Sequence, residues 1–206
     1  MSAKDLIVHQ GSAPGARLIL LFHGVGSRPE DLVPLGRLLA EADPGAWVVS
    51  VCSPEPSDLG SGWQWFSVRG VTEDSRPARI ATAMPSFVRC VRDWQARAGV
   101  DAAGTTLIGF SQGAIMALES TQLPETLAAR VISLAGRFAA PPRVAPAGTQ
   151  VHLLHGEQDQ VIDPRYSLLA AEALRALGAT VSVELFPGLG HGIDARVAAR
   201  VQAFAA

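Results

Sequence analysis

The sequence predicts an α/β fold, with a mostly parallel central sheet flanked by helices. Three observations carry this expectation. Short apolar runs alternate with longer amphipathic stretches along nearly the whole chain. Two of the runs, Leu18-Ile19-Leu20-Leu21-Phe22 and Val151-His152-Leu153-Leu154, are apolar on nearly every position, as strands covered on both faces should be. The chain has 206 residues, 48% hydrophobic and 17% charged, which suits one domain (1–206) with a single substantial core.

Taken in order, the candidate strands are residues 6–9, 17–22, 46–51, 105–109, 130–135, 150–155 and 180–186. A short Gly/Pro turn, Gly11 to Gly15, separates the first two, so the second is expected to return antiparallel as a hairpin. The candidate helices are residues 30–41, 77–98, 112–121, 164–177 and 193–204, with Gly99 and Gly178 placed to cap two of them. Residues 52–75 form a long connection rich in Gly, Pro and Ser that holds Trp63, Trp65 and Phe66. Long loops inside compact domains are usually functional. The link between the strands at 130–135 and 150–155 is short and Pro-rich, which leaves no room for a cap domain.

A net charge of −2 argues against a nucleic-acid binder, which would carry a basic excess. Two cysteines, Cys52 and Cys90, are too few for a disulfide framework or a zinc site and read as reduced thiols. Residues 1–9 lack the apolar stretch of a signal peptide, and no run approaches the ~20 apolar residues of a membrane span. The expectation is a cytoplasmic protein without stable membrane insertion.

Chemistry concentrates at Gly109-Phe110-Ser111-Gln112-Gly113. This G-x-S-x-G stretch lies between the run Thr106-Leu107-Ile108 and the helical run Ala114 to Leu118, where a sharp strand-to-helix turn would expose a serine nucleophile. An ordinary junction with a capping serine is the alternative. A serine hydroxyl needs a base to take its proton and a carboxylate to orient that base. His191, in the loop Gly188-Leu189-Gly190-His191-Gly192 after the last strand, fits the base. Asp159, in the loop after the strand at 150–155, fits the acid, with Glu157 and Asp163 as rivals in the same loop. Asp163 precedes Pro164 and reads better as a helix N-cap. His152 falls within a strand, and His155 at its end reads as packed or hydrogen-bonded locally.

Two N–H groups are needed for a developing oxyanion. The backbone N–H of Gln112, at the start of the helix after Ser111, supplies one. That of Val25, in the flexible loop His23-Gly24-Val25-Gly26, supplies the other, with His23 shaping the loop.

These features in combination resemble the phospholipase/carboxylesterase family of α/β-hydrolases, which includes acyl-protein thioesterases and small bacterial carboxylesterases. The stretch from Gln64 to Val68, Gly70-Val71-Thr72-Glu73-Asp74, and Gly109 to Ser120 look most like the YpfH-type bacterial esterases. The resemblance implies an α/β-hydrolase fold without a cap domain. It also implies Ser111, Asp159 and His191 as catalytic residues, and Val25 and Gln112 as oxyanion donors. The expected activity is hydrolysis of small-molecule esters, with thioesters or lysolipids as the alternative. A non-catalytic binding protein on the same fold is disfavoured, because all three triad members are present. Trp65 and Phe66 are candidates to line the acyl pocket, or simple core. Arg137, just past a predicted strand end, would meet an acidic leaving group or sit in a surface ion pair. Nothing in the sequence calls for a metal or organic cofactor, and the resemblance allows a homodimer.

Overall fold

In a computed structural model, which describes residues 5–11 and 17–205, the strands β1 (Leu6–His9), β2 (Leu18–Phe22), β3 (Trp47–Val51), β6 (Thr105–Phe110), β7 (Arg130–Leu134), β8 (Gln150–Gly156) and β9 (Val181–Phe186) form one sheet. Its order is β1-β3-β2-β6-β7-β8-β9. Every neighbouring pair is parallel except β1 with β3. The helices are α1 (Val33–Ala42), entered through a 3-10 turn at Pro29–Leu32, α2 (Arg76–Ala98), α3 (Gln112–Ser120), α4 (Arg165–Ala176) and α5 (Ala195–Ala205).

The period-2 geometry of strands explains why β2 is apolar at all five positions. Leu18, Leu20 and Phe22 enter a cluster with Ile80, Phe87 and Val91 of α2, Ile115 of α3 and Leu174 of α4. Ile19 and Leu21, pointing the other way, join Leu35 and Leu39 of α1 and Val197 and Val201 of α5. Each central strand is therefore covered on both faces. Gly99 ends α2 in the left-handed region at φ 67°, and Gly178 follows α4 at φ 85°.

The expected hairpin does not form. The two sides of β2 are taken by β3 and β6, both parallel to it, and β1 pairs instead with β3 at the sheet edge. The physical reason is burial. β2 is buried throughout and needs partners on both sides, whereas β1 is only partly buried and suits an edge. Gly11 lies against the Gly45 backbone, where an added Cβ would come 2.0 Å from the Gly45 carbonyl oxygen. The rest of the anticipated turn, 12–15, lies outside the described residues, as do positions 1–4 of the N-terminal stretch.

The order of connections reverses between β2 and β6. Such a switch point opens a crevice beyond the carboxyl ends of the strands. Residues 52–75 cross this region, with a short ribbon of β4 (Glu55–Pro56) and β5 (Trp63–Gln64). Among the described residues no helix or strand lies between β7 and β8. Among the described residues, too, no helix is long and apolar enough to cross a membrane.

Candidate active site

Ser111 leaves β6 at φ 52° and ψ −114°, a strained backbone for a residue with a Cβ. The strain is held by tight packing on both sides. A Cβ on Gly109 would fall 2.4 Å from backbone atoms of Gly113 and Ala114, and one on Gly113 would fall 2.2 Å from the Phe22 carbonyl oxygen. Only glycine permits α3 to start this close to β2. The Ser111 N–H donates to the Leu134 carbonyl at 2.9 Å, which fixes the turn against β7.

Around Ser111, the side chains form a chain of hydrogen bonds. His191 Nε2 lies 2.9 Å from Ser111 Oγ, and its Nδ1 lies 2.6 Å from Asp159 Oδ2. These are the three residues that the sequence singled out, brought together from loops after β6, β8 and β9. The last two loops are tied to each other by their backbones, with Gln158 N–H to Leu189 O at 2.8 Å and Glu157 N–H to Phe186 O at 3.0 Å. Gly156 makes that close approach feasible, since a Cβ there would sit 2.2 Å from the Gly190 carbonyl oxygen.

Asp159 is buried and its carboxylate is fully employed. Oδ1 accepts the N–H groups of Val161 at 2.8 Å and Ile162 at 3.0 Å, while Oδ2 accepts from His191. Burial alone would raise its pKa. The hydrogen bonds from His191 and the two N–H groups outweigh burial and hold it below the ordinary carboxylate range. Of the rivals, Glu157 is exposed, and Asp163 accepts the Arg165 N–H at 2.9 Å from just before α4; the N-cap itself is Pro164, one residue later than expected.

The loop at 23–26 is pressed against the serine. A Cβ on Gly24 would come 3.1 Å from Ser111 Cβ, so Val25 sits one residue from that contact. His23 is buried, with Nδ1 2.8 Å from the Gly24 carbonyl and Nε2 3.2 Å from Ser53 N–H, a pattern that assigns the neutral Nδ1–H form. Burial lowers its pKa. The far side of the loop is pinned by Gly26 N–H to Trp63 O at 3.0 Å and Trp63 N–H to Ser27 O at 2.9 Å.

Of the two expectations for the Trp65 and Phe66 side chains, their burial matches simple core. Both are buried in the core, Trp65 edge-on to Phe22 and Phe87. The cleft they border is walled by Pro54, Arg69 and Arg79 and contains none of Ser111, Asp159 and His191. Their contribution to the serine turn is made by the backbone, as the Gln112 side chain shows below.

This architecture, with a strained serine between strand and helix and an acid and a histidine on later loops, is matched by known proteins. A model described as Phospholipase/Carboxylesterase matches residues 3–206. The chain belongs to the phospholipase/carboxylesterase family. It is 46% identical to esterase YpfH of Escherichia coli (strain K12) over 196 residues, which are 95% of this chain and 84% of that protein. It is 31% identical to acyl-protein thioesterase 1 of Gibberella zeae over 104 residues, 47% of this chain and 44% of that one. The crystal structure of esterase PE8 superposes with a TM-score of 0.87 at 29% identity, covering 98% of this chain and 96% of that chain. With its family, the chain stands among the carboxylic ester hydrolases on the α/β-hydrolase fold, with no separate cap domain evident among the described residues.

In this phospholipase/carboxylesterase chain, two side chains matter that the sequence left without a part at the site. His155 Nε2 lies 3.1 Å from Asp159 Oδ2 and 2.9 Å from the Ile162 carbonyl, while its Nδ1 lies 2.8 Å from Ser167 Oγ. The network therefore assigns Nε2 as donor to the acid loop. The buried side chain of Gln112 accepts the Trp65 N–H at 2.7 Å and donates to the Phe66 carbonyl at 2.8 Å, clamping the 52–75 segment to the serine turn. One signal was available for Gln112: an amide opening the otherwise apolar start of a buried helix needs partners.

Proposed function

We propose that this chain is a serine carboxylesterase acting on short- to medium-chain carboxylic esters through Ser111, His191 and Asp159. The observation that carries the proposal is the continuous Ser111–His191–Asp159 hydrogen-bond chain, with distances of 2.9 and 2.6 Å. Both lie within the range for a nucleophile, its base and the group orienting that base.

The chemistry is two-step acyl transfer. The Ser111 hydroxyl attacks the ester carbonyl as His191 Nε2 takes its proton. The Asp159 carboxylate, kept ionised by its donors, stabilises the imidazolium through Nδ1–H. The backbone N–H groups of Val25 and Gln112 receive the charge on the tetrahedral oxygen, and the N-terminus of α3 adds its favourable dipole. His191 returns the proton to the leaving alcohol. It then activates a water that releases the acid and restores the serine.

A second reading, acyl thioester hydrolysis, draws on the partial likeness to acyl-protein thioesterase 1. A series of p-nitrophenyl esters from C2 to C16, run beside thioesters of matching acyl length, separates the two. The carboxylesterase proposal expects kcat/KM to peak among the short and medium esters. Thioesters hydrolysed faster than esters at every length would overturn it in favour of the second reading.

A further inference from the structure

Resting on the ester chemistry proposed above, we infer that Arg137 is a carboxylate receptor that selects esters carrying a second, distal carboxylate, and that Glu73 occupies it until such a substrate arrives.

The position of Arg137 relative to the serine follows from the backbone. β6 and β7 are parallel neighbours, paired at Phe110 with Leu134, and Leu134 accepts the Ser111 N–H. Ala135 then takes φ 51°, and Gly136 packs so closely on α3 that a Cβ there would meet Ala114 Cβ at 2.5 Å. Arg137 therefore emerges beside the first turn of the helix that begins immediately after Ser111.

The guanidinium is built as a fixed fork. Arg137 is 7% exposed as a residue; its guanidinium stacks on the Tyr166 ring at 3.6 Å, and its Nε donates to the Phe138 carbonyl at 3.1 Å. Stacking and the Nε bond set the plane, so the two terminal nitrogens face one direction. Both donate to Glu73, at 3.0 Å to Oε1 and 2.6 Å to Oε2, the bidentate pattern with which arginine recognises any carboxylate. An expected surface ion pair has thus become a buried cation with an anion that is not buried. The Glu73 side chain is 60% exposed against 8% for Arg137, so solvent reaches the carboxylate far more than the arginine.

Glu73 also has a second partner. Its Oε1 lies 3.0 Å from Arg76, one helical step away at the start of α2. If another carboxylate takes the Arg137 fork, Glu73 keeps a counter-charge, and each anion has a cation. The displacement is an exchange of ion pairs, with no charge left unpaired.

The surroundings define the ligand. Arg137, Glu73 and Tyr166 border a trough of about 530 Å³ whose other walls include Phe138, Pro141 and Leu169. Asp74 lines the trough as well and none of Ser111, Asp159 and His191 does, so the trough is read as the seat of the substrate's far end. Its apolar walls suit an acyl chain, and the Arg137 fork, once exchanged from Glu73, suits a terminal carboxylate, as in a monoester of a dicarboxylic acid.

The test uses p-nitrophenyl monoesters of C6 to C12 dicarboxylic acids beside the monoacid esters of equal length. It reads the ratio of kcat/KM for the two at each length. Glu73→Gln removes the charge that competes for the Arg137 fork and is expected to raise the diacid-to-monoacid ratio about tenfold at one or more lengths, the scale of one charge-assisted bidentate contact. Asp74→Asn removes the same charge from the next residue, in the same trough, and is expected to move the ratio less than about twofold. Arg137→Gln is expected to lower the ratio at those lengths. An unchanged ratio in Glu73→Gln at every length would overturn the inference, as would an equal rise in Asp74→Asn, which would report general charge alone. Monoacid-ester turnover, and its loss in Ser111→Ala, tests the underlying hydrolase chemistry in the same assay. The two failures are therefore distinguishable, and Glu73→Gln, at an exposed position, decides the matter even if Arg137→Gln does not fold.

Discussion

His155, at the end of β8, and His191, in the loop after β9, approach the same oxygen of Asp159, at 3.1 and 2.6 Å. One is the proposed base. The other is a buried neutral imidazole whose pKa is lowered by burial and whose remaining nitrogen is held by Ser167. Ser167 thus reaches the proposed base through two intermediaries. Replacing Ser167 by Ala frees the His155 ring to turn and is expected to lower kcat about threefold to tenfold while KM stays within about twofold. Steady-state kinetics on a medium-chain p-nitrophenyl ester checks this. A change confined to KM would show that His155 does not act through the orientation of Asp159.

Gln112 joins the serine turn to the 52–75 segment through two buried hydrogen bonds. Gln112→Ala leaves the Trp65 N–H and the Phe66 carbonyl without partners, a cost of about 2–4 kcal/mol. For a chain of this size that corresponds to a fall in Tm of roughly 5–15 °C. Thermal unfolding followed by circular dichroism measures it, and a Tm within about 2 °C of the parent would show that the clamp contributes little.

Gly113→Ala would place a methyl group 2.2 Å from the Phe22 carbonyl oxygen. The obstacle is backbone in the central strand and cannot turn aside. The expected result is destabilisation above about 4 kcal/mol, or no folded protein at all. A denaturant midpoint close to that of the parent would contradict the packing described for α3 and β2.

Much of this fold is legible in the sequence because the signals are local. β2 is apolar at every position and β8 at three of the four from Val151 to Leu154, a pattern that double coverage by helices dictates, and the strand, turn and helix around Ser111 each carry their own marks. The pairing of β1 was not legible. A Gly/Pro turn reads as a hairpin, yet the edge of β2 is claimed by β3, a competitor more than twenty residues further on. His155 was legible as a locally hydrogen-bonded side chain, its partners lying within twelve residues, whereas the side-chain work of Gln112 was hidden: a hydrogen-bond partner forty-seven residues away leaves no trace in local pattern. Trp65 and Phe66 show the limit of residue type, since an aromatic in a long loop is equally suited to a pocket or to the core, and only tertiary packing, such as that of Trp65 on Phe22 and Phe87, distinguishes the two.

Acid should weaken the fold through its buried imidazoles. Burial lowers the pKa of His23, His152 and His155, and takes His152 from 6.5 to about 4. Between those values the unfolded chain binds more protons than the folded one. Stability is therefore full above about pH 6.5 and is lost as the pH falls toward 4. Melting curves at pH 7.5 and pH 5 should differ by several degrees in that direction. His152→Gln, which removes a half-buried ring stacked on Phe204, should narrow the difference. A Tm that rises on acidification would contradict the neutral state assigned to these rings.

The most direct measurement is hydrolysis of p-nitrophenyl butyrate by Ser111→Ala beside the parent enzyme, with matched circular dichroism spectra to show that both are folded. Removing the hydroxyl that lies 2.9 Å from His191 Nε2 should lower kcat by on the order of 10⁴ or more. Turnover by the variant within about tenfold of the parent would contradict a mechanism in which Ser111 carries the acyl group.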